Sequence, residues 1–250
     1  MTGSWEPATR APLPAIAEVH VWRIDLDSPP LTSLGDTLLS ADEISRVQQL
    51  RFEPHRRLFM AGRSAMRSIL GSYTDTAPDT IRFSYGEHGK PHLYTDDDAP
   101  PLTFNFSNAD GQALLAVATD REVGIDIENR HREINTAGLV RHLLTDAECT
   151  SFNKLPEADR KQAMLTIWTR KEAWIKALGE GLFRSVKSFA VPCELVSASL
   201  TQRLTDNTGE PANWTFLSLD AHPDYLATLT ARGTDWSCRC FDWQPAGAAT

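Results

Sequence analysis

The feature that most constrains the fold of this chain is a weak internal repeat, in which short pieces recur in the same order about 104 to 111 positions later. Ser40 and Thr145 each stand three residues before a glutamate, the pattern of a capping box at a helix start. Gly71 and Gly179 each follow a longer helical stretch, where glycine commonly ends a helix. Matching apolar strands open and close the two halves, at 18–21 and 122–127 and at 114–118 and 225–229.

We therefore expect an α+β fold, a pseudo-dimer of two similar subdomains, each a small antiparallel sheet packed with a longer helix. Turn sequences at 85–91 and 221–224 favour hairpins over βαβ crossovers. Sites commonly form in the cleft between two such units. The expected division is a flexible N-terminal segment at 1–15, an N-terminal half at 16–120, a C-terminal half at 121–244 and a tail at 245–250, with a solvated loop at 97–101.

Two carboxylates, Asp126 and Glu128, lie two residues apart in a stretch where apolar and acidic residues alternate. This period is that of a strand, so both acids are predicted on one face and Ile125 and Ile127 on the other. A solvent-facing strand edge would show the same alternation. The pattern alone therefore leaves both interpretations open.

A third carboxylate, Glu172, lies in a helical stretch in which Trp168, Glu172 and Lys176 form one stripe at intervals of four residues. Glutamate and lysine pairs at this spacing are also common on helix surfaces, where they stabilise a helix by only about 0.3–0.5 kcal/mol. The neighbouring Trp168 and Trp174 favour a packed wall beside these charges. We interpret Trp168 as a core residue.

Carboxylate oxygens without a nearby histidine or cysteine suit a hard divalent cation, and we predict Mg²⁺ held by Asp126, Glu128 and Glu172. Zinc is a poor match to these ligands. Lys176 lies one helical turn beyond Glu172 and would supply positive charge to a polyphosphate beside the metal. The combination is typical of a phosphoryl-transfer site.

The net charge of −8 argues against nucleic-acid binding driven by phosphate neutralisation. Basic residues nevertheless concentrate at 51–67, enough to attract a compact anion. Within this segment Arg67 fits a solvated helix face, whereas Arg57 and Arg63 are open candidates. Lys90 lies in a turn, and Ser107 and Asn108 where a strand runs into a polar turn, so their donors either satisfy the backbone or bind an anion.

The composition is that of an ordinary globular protein, without an apolar run long enough for a signal sequence or a membrane span. The four cysteines, none in a C-x-x-C pair, are interpreted as reduced core thiols. We therefore expect a cytoplasmic monomer with no membrane or nucleic-acid partner.

The chain resembles the Sfp-type 4′-phosphopantetheinyl transferases. The resemblance covers most of the chain and rests on two blocks, Gly-Ile-Asp-Ile-Glu at 124–128 and Trp-Thr-Arg-Lys-Glu-Ala-Trp-Ile-Lys at 168–176. Weaker support comes from 57–63, 89–91 and 104–107. The resemblance implies a pseudo-dimer of two α+β halves with coenzyme A in the cleft, in agreement with the repeat.

The resemblance further implies that Asp126, Glu128 and Glu172 hold Mg²⁺ on the pyrophosphate of coenzyme A. Lys176 would contact the same phosphates, and Lys90 with Ser107 would face the 3′-phosphate. The family usually has histidine after that serine, whereas this chain has Asn108, a neutral donor. Arg57, Arg63 and Asn108 complete the predicted coenzyme A-binding residues.

The predicted reaction is transfer of 4′-phosphopantetheine from coenzyme A to a serine of an apo acyl or peptidyl carrier protein, with release of 3′,5′-ADP. Glu172, directly or through a metal-bound water, would accept the serine proton, and Lys176 would neutralise charge on the leaving group. Two alternatives remain open at the sequence level: a Mg²⁺-dependent nucleotide or pyrophosphate hydrolase, and a non-catalytic carrier-binding homologue. Because carrier docking surfaces in this family are generally complementary to an acidic helix, the resemblance also implies docking near Arg170 and the first helix of the second half.

Overall fold

The computed structural model describes residues 4–94, 102–181, 184–193, 199–206 and 208–245. The whole predicted loop at 97–101, residues 1–3 of the predicted N-terminal segment and residues 246–250 of the predicted tail therefore lie outside the described residues. Within these ranges, none of the helices is both long enough and apolar enough to span a membrane.

The strands and the helices are each numbered in chain order. The strands are β1 Glu6–Ala8, β2 Glu18–Asp25, β3 Phe83–Tyr85, β4 Pro91–Leu93, β5 Thr103–Ala109, β6 Gln112–Ala118, β7 Val123–Asn129, β8 Ser199–Thr205, β9 Pro211–Leu219, β10 Tyr225–Arg232 and β11 Ser237–Trp243. The helices are α1 Pro29–Thr32, α2 Ala41–Gln49, α3 Glu53–Thr74, α4 Thr136–Leu143, α5 Asp146–Phe152 and α6 Glu157–Leu178.

The chain divides into two compact units. Described residues of 85–90 and 121–236 form what we call the C-terminal unit, and the other described residues form the N-terminal unit. Each unit combines a sheet with a 22-residue helix, α3 in the N-terminal unit and α6 in the C-terminal unit. The α+β class with two similar subdomains, predicted from the repeat, is confirmed.

The sheet of the N-terminal unit has the order β1-β11-β2-β6-β5. Neighbours β2, β6 and β5 are antiparallel, whereas β11 lies parallel to both β1 and β2. Strand β1 lies inside the segment expected to be flexible, and β11 lies inside the range assigned to the C-terminal half. Both differences arise from long-range pairing: β11 adds to the sheet beside β2, and β1 pairs with β11 to form the edge strand.

The sheet of the C-terminal unit has the order β7-β10-β9-β8 and is antiparallel throughout its described strands. Its register places Asp126 opposite Thr228. Helix α6 covers this sheet, and the fully buried Trp174 packs between Phe189 and Trp214 in the core beneath it. The sheet therefore presents one face of β7 to the helix that carries Glu172.

Local signals in the sequence set most of the helix ends. Both capping boxes are present, with Ser40 and Thr145 bonded reciprocally to Glu43 and Glu148. Helix α6 ends at Gly179 in the left-handed conformation, as predicted. The predicted end of α3 at Gly71 is wrong, because the helix continues to Thr74.

Gly71 lies inside α3 and does not end it. A Cβ atom at this position would lie 2.5 Å from the carbonyl oxygen of Thr76, so glycine allows the chain after α3 to return against the helix. The left-handed residue that ends α3 is Asp75, with φ of 52°. Glycine is therefore required at position 71 because two backbone segments approach closely there, and not because the helix ends there.

Candidate functional site

A close approach between β7 and α6 forms the centre of the candidate site. A Cβ atom at Gly124 would lie 1.9 Å from the carbonyl oxygen of Ala173 and 2.6 Å from the amide nitrogen of Ala177. Only glycine lets the helix backbone lie this close to the strand. Because residues at even positions of β7 share one face, Asp126 is presented to the same helix.

Asp126 and Lys176 are brought together by this packing. Lys176 Nζ donates to Asp126 Oδ1 at 2.6 Å, and the aspartate is 5% exposed. Glu172, one turn before Lys176, belongs to the same group of charges. Burial raises the pKa of Glu172, the negative charge of Asp126 raises this pKa further, and Lys176 lowers it. The positive charge of Lys176 therefore stabilises both the Asp126 and the Glu172 carboxylates in a partly desolvated position.

Glu128 lies on the same face of β7 but is engaged elsewhere. Its carboxylate forms an ion pair with Arg132, and its Oε1 accepts the amide of Asn129 at 3.1 Å. In the part of the chain that the structure describes, no three histidine, cysteine, aspartate or glutamate side chains are grouped so that they could hold a metal ion. The structure thus brings together Asp126, Glu172 and Lys176, and leaves Glu128 turned towards Arg132.

The donor chemistry of this region fits a hard divalent cation. Asp126 and Glu172 offer only carboxylate oxygens. Burial raises the pKa of Glu172 and the negative charge of Asp126 raises it further, and a cation would offset the repulsion between the two carboxylates. The Arg132 side chain is 54% exposed. The Glu128 side chain is only 12% exposed, so a cation that takes it from Arg132 must replace the charge compensation that the arginine supplies.

Lys90, in the turn before β4, contacts the C-terminal end of α6. Its Nζ donates to the carbonyl oxygen of Ala177 at 2.6 Å and to Glu122 Oε2 at 2.8 Å, and its stem packs on Gly179. Lys176 belongs to the same helical turn. Two ammonium groups therefore lie near the end of one helix, that of Lys176 bound to Asp126 and that of Lys90 bound to Glu122.

In the N-terminal unit, Arg63 and Asn108 line one cavity of about 390 Å³ between α3 and β5. His55, which the sequence analysis placed in the basic segment without a role, lines it as well. Phe59 and Phe106 supply aromatic walls, and the Arg63 guanidinium lies 5.4 Å from the Phe59 ring centre. This arrangement suits an anion that carries an apolar or aromatic part.

Other predicted residues of this unit lie apart from the cavity. Ser107 is buried and, being next to Asn108 in a strand, points to the opposite face. Arg57 forms an exposed ion pair with Asp27 at 3.0 Å. Neither residue lines the cavity that holds Arg63 and Asn108.

Two basic residues expected at the surface are buried. Arg67 is 1% exposed and donates to Glu43 Oε2 at 2.8 Å, so its assignment to a solvated helix face is wrong. Arg170 is also 1% exposed and donates to the carbonyl oxygen of Pro192, which removes it from any docking surface. Arg67 was expected outside as part of a solvated helix face, and Arg170 because the family resemblance implies a basic docking surface.

Sequence reasoning missed Lys171, a fully buried lysine next to Glu172. Its Nζ donates to Glu148 Oε2 at 2.8 Å and to three backbone carbonyls, those of Leu143, Val186 and Phe189. Burial lowers the pKa of Lys171, while Glu148 partly restores it. The signal that could have found it is the repeat, because Arg67 binds the equivalent capping-box glutamate.

Comparison with known proteins gives consistent matches along the chain. Residues 122–230 match the family described as "4'-phosphopantetheinyl transferase superfamily", and residues 32–120 match "4'-phosphopantetheinyl transferase, N-terminal". The 4'-phosphopantetheinyl transferase HetI of Nostoc sp. is 33% identical over 230 residues, which cover 91% of this chain and 90% of that protein.

More distant relatives extend over most of the chain as well. The L-aminoadipate-semialdehyde dehydrogenase-phosphopantetheinyl transferase of Rattus norvegicus is 25% identical over 227 residues, 85% of this chain and 73% of that protein. A 4'-phosphopantetheinyl transferase of Bacillus subtilis is 23% identical over 178 residues, 69% of this chain and 76% of that protein. The crystal structure of Thermotoga maritima holo-[acyl-carrier-protein] synthase overlaps 45% of this chain and 63% of that chain, with a TM-score of 0.31 and 20% identity.

Proposed function

Because the chain belongs to the 4′-phosphopantetheinyl transferase superfamily, we propose that it transfers 4′-phosphopantetheine from coenzyme A to a serine of an apo acyl or peptidyl carrier protein. The bond from the serine oxygen to the β-phosphorus forms, the bond from that phosphorus to the bridging oxygen breaks, and 3′,5′-ADP leaves. The observation that carries the proposal is the grouping of Asp126, Glu172 and Lys176 where β7 meets α6. We also propose that the enzyme is of the Sfp type.

The proposal assigns Asp126, Glu128 and Glu172 to hold Mg²⁺. When bound, this ion would withdraw electron density from the phosphate oxygens and compensate the charge that develops on them. The support in this chain is the all-oxygen donor set, its partial burial and the repulsion between Asp126 and Glu172. Lys176, which neutralises Asp126 in the structure, would then be available to phosphate.

The proton of the attacking serine needs an acceptor, and Glu172 is the proposed base. A general base works best when its pKa is close to the working pH, and burial together with the charge of Asp126 moves the pKa of Glu172 in that direction. Lys176 would neutralise the 5′-phosphate of the leaving 3′,5′-ADP, and Lys90, which contacts the end of α6, would face the 3′-phosphate. These roles use residues of the C-terminal unit alone.

In the N-terminal unit, Arg57, Arg63, Ser107 and Asn108 are the proposed coenzyme A-binding residues. The shared cavity of Arg63, Asn108 and His55 supports two of them. Asn108 is exposed and neutral, and Arg63 supplies the formal positive charge of this cavity. Arg57 would have to leave Asp27, which an exposed ion pair permits at low cost.

The proposal includes the cellular setting. We propose a monomer that acts in the cytoplasm on carrier proteins, without a nucleic-acid or membrane partner. Four free cysteines are consistent with a reducing compartment, although Cys238 and Cys240 lie with their sulfurs 3.8 Å apart. The net negative charge disfavours non-specific binding to nucleic acid.

The experiment that tests the proposal measures the mass of an apo-carrier after incubation with the protein, coenzyme A and MgCl₂. A mass gain equal to one phosphopantetheine group supports transfer. Free 3′,5′-ADP without a mass gain would indicate a hydrolase, and a complex with the carrier without either product would indicate a binding protein. Each of the last two results rejects the proposed reaction.

Glu172→Gln tests the assignment of the base within the same assay. We expect loss of transfer with an unchanged circular dichroism spectrum, because the amide keeps the shape of the side chain but accepts no proton. Glu157→Gln, at an exposed glutamate in the first turn of the same helix, is the matched control and should transfer at the wild-type rate. Full turnover by Glu172→Gln would exclude Glu172 as base.

A further inference from the structure

Helices α3 and α6 are equivalent position by position. Each has 22 residues, and the fifteenth residue of each, Arg67 or Lys171, donates to a capping-box glutamate. The same alignment makes Ser68 the counterpart of Glu172, and Ser72 the counterpart of Lys176. The N-terminal unit therefore has two hydroxyls where the C-terminal unit has its proposed chemistry.

Ser68 and Ser72 line a cavity of about 480 Å³ that lies wholly within the N-terminal unit. Its apolar wall includes Trp243, which is 6% exposed, and Leu34. The volume falls in the range of sites for small organic molecules, roughly 300–1,000 Å³. No role in the proposed transfer reaction has been assigned to any of these residues.

One side of this cavity presents acceptors. Its hydroxyls already donate to carbonyl oxygens of α3 and the residues after it: Ser68 to Ser64 at 2.8 Å, Ser72 to Ile69 at 2.7 Å and Thr76 to Thr74 at 3.1 Å. Their lone pairs remain available. Asp75 also lines the cavity and follows the C-terminal end of α3, where the helix dipole is negative. This side of the cavity selects a cation or a strong donor.

The cavity also has a positive group. Arg10 lines it, is exposed, and forms no hydrogen bond or ion pair with any residue that the structure describes. Asp75 likewise has no ion pair within the described ranges. An unpaired guanidinium and an unpaired carboxylate thus border one apolar cavity, a combination that favours a ligand carrying both charges.

We propose that this cavity binds a small zwitterion with an apolar body, of the chemical class of the apolar α-amino acids. The ammonium group of the ligand meets Asp75 and the hydroxyl oxygens, its carboxylate meets Arg10, and its side chain covers Trp243. The site does not depend on the proposed transferase function, because it shares no residue with those proposed to bind Mg²⁺ or coenzyme A.

Three probes that share a phenyl group test the proposal on the wild-type protein by ligand-observed NMR titration. L-Phenylalanine carries both charges, phenethylamine only the cation, and 3-phenylpropionate only the anion. We expect L-phenylalanine to bind about two- to fivefold more tightly than either analogue, the size of one partly solvated ion pair. Equal binding of the three probes, or no binding at millimolar concentration, overturns the proposal.

Two substitutions assign the charges. Asp75→Asn should abolish the preference for L-phenylalanine over 3-phenylpropionate, and asparagine tolerates the left-handed φ of 52° at this position. Arg10→Gln should abolish the preference over phenethylamine. Unchanged preferences in both variants reject the assignment. The comparison of probes needs no variant, so it decides the proposal even if a substitution disturbs folding, and both variants should retain the transferase activity of the wild type.

Discussion

Lys176 Nζ lies 2.6 Å from Asp126 Oδ1, which pairs the residue proposed to bind phosphate with a residue proposed to bind metal. In this state the lysine neutralises the aspartate, and the buried position of Asp126 makes a charged partner necessary. Binding of a cation to Asp126 would take over that function. Metal and coenzyme A should therefore bind cooperatively, since each favours the arrangement in which Lys176 faces phosphate.

The first prediction follows from this pairing. Lys176→Met should weaken the binding of coenzyme A in the presence of MgCl₂ by about 10- to 150-fold, the range for a lost hydrogen bond to a charged group of about 1.5–3 kcal/mol. Isothermal titration calorimetry measures this change. Lys154→Met, at an exposed lysine of the same unit, is the control and should bind as the wild type does. Equal affinity of the two variants would contradict the role of Lys176.

The second prediction concerns Gly124, where α6 rests on β7. In Gly124→Ala the new methyl group would overlap the backbone of Ala173 and Ala177, so the helix must move away from the strand. Overpacking of this kind costs about 1–3 kcal/mol or more. We expect a lower midpoint of thermal unfolding and a loss of transfer activity, because Glu172 and Lys176 move with the helix.

A contrasting glycine provides the control for this experiment. At Gly138 the nearest neighbour of an added methyl group is the Asn135 side chain at 3.1 Å, which can adjust, and not a backbone atom. Gly138→Ala should therefore shift the unfolding midpoint much less than Gly124→Ala. If Gly124→Ala were as stable and active as the wild type, the tight contact between β7 and α6 would not position the site.

The sequence could predict features whose causes are local. The capping boxes at Ser40 and Thr145 and the end of α6 at Gly179 were found because each involves residues a few positions apart. The alternation around Asp126 likewise placed it on one face of a strand, the face that the structure packs against α6.

Features that depend on distant pairing escaped prediction. The parallel pairing of β1 with β11 joins the two ends of the chain, and nothing near Glu6 or Phe241 signals it. Arg67 looked solvated because a periodicity argument treats charge as a surface property, whereas its partner Glu43 lies on another helix. The ion pair between Glu128 and Arg132 also depends on the path of the chain after β7.

The third prediction concerns the two buried ion pairs that the repeat relates, Lys171 with Glu148 and Arg67 with Glu43. Lys171→Met leaves Glu148 without its ammonium partner, and removing one member of a buried ion pair typically costs about 3–5 kcal/mol. Arg67→Met should cost less, because Arg63 Nε lies 3.7 Å from Glu43 Oε1 and still compensates that carboxylate. Urea denaturation measures both free energies of unfolding, and Lys154→Met should stay within about 0.5 kcal/mol of the wild type. A change below about 1 kcal/mol in Lys171→Met would show that its ion pair with Glu148 does not support the fold.

The fourth prediction concerns the buried hydroxyl of Tyr73. It accepts a hydrogen bond from Trp22 Nε1 at 2.8 Å and lies 2.7 Å from His20 Nδ1. An indole nitrogen can only donate, so the tyrosine hydrogen is free to go to His20, whose Nε2 then carries its proton towards Glu18. Tyr73→Phe leaves two buried groups unpaired and should cost about 1–3 kcal/mol, measured by urea denaturation.

The last prediction is the pH dependence that His20 imparts. Burial lowers its pKa below 6.5, an effect to which the positive charge of Arg239 adds and which Glu18 partly offsets. As the pH falls below 6.5 the unfolded chain takes up this proton before the folded protein does, so the free energy of unfolding decreases until the folded pKa is passed. His20→Asn keeps an acceptor near Tyr73 but cannot titrate. Subtracting its profile of unfolding free energy against pH from that of the wild type should leave a decrease confined to the region below pH 6.5, and a flat difference would show that His20 does not titrate differently on folding.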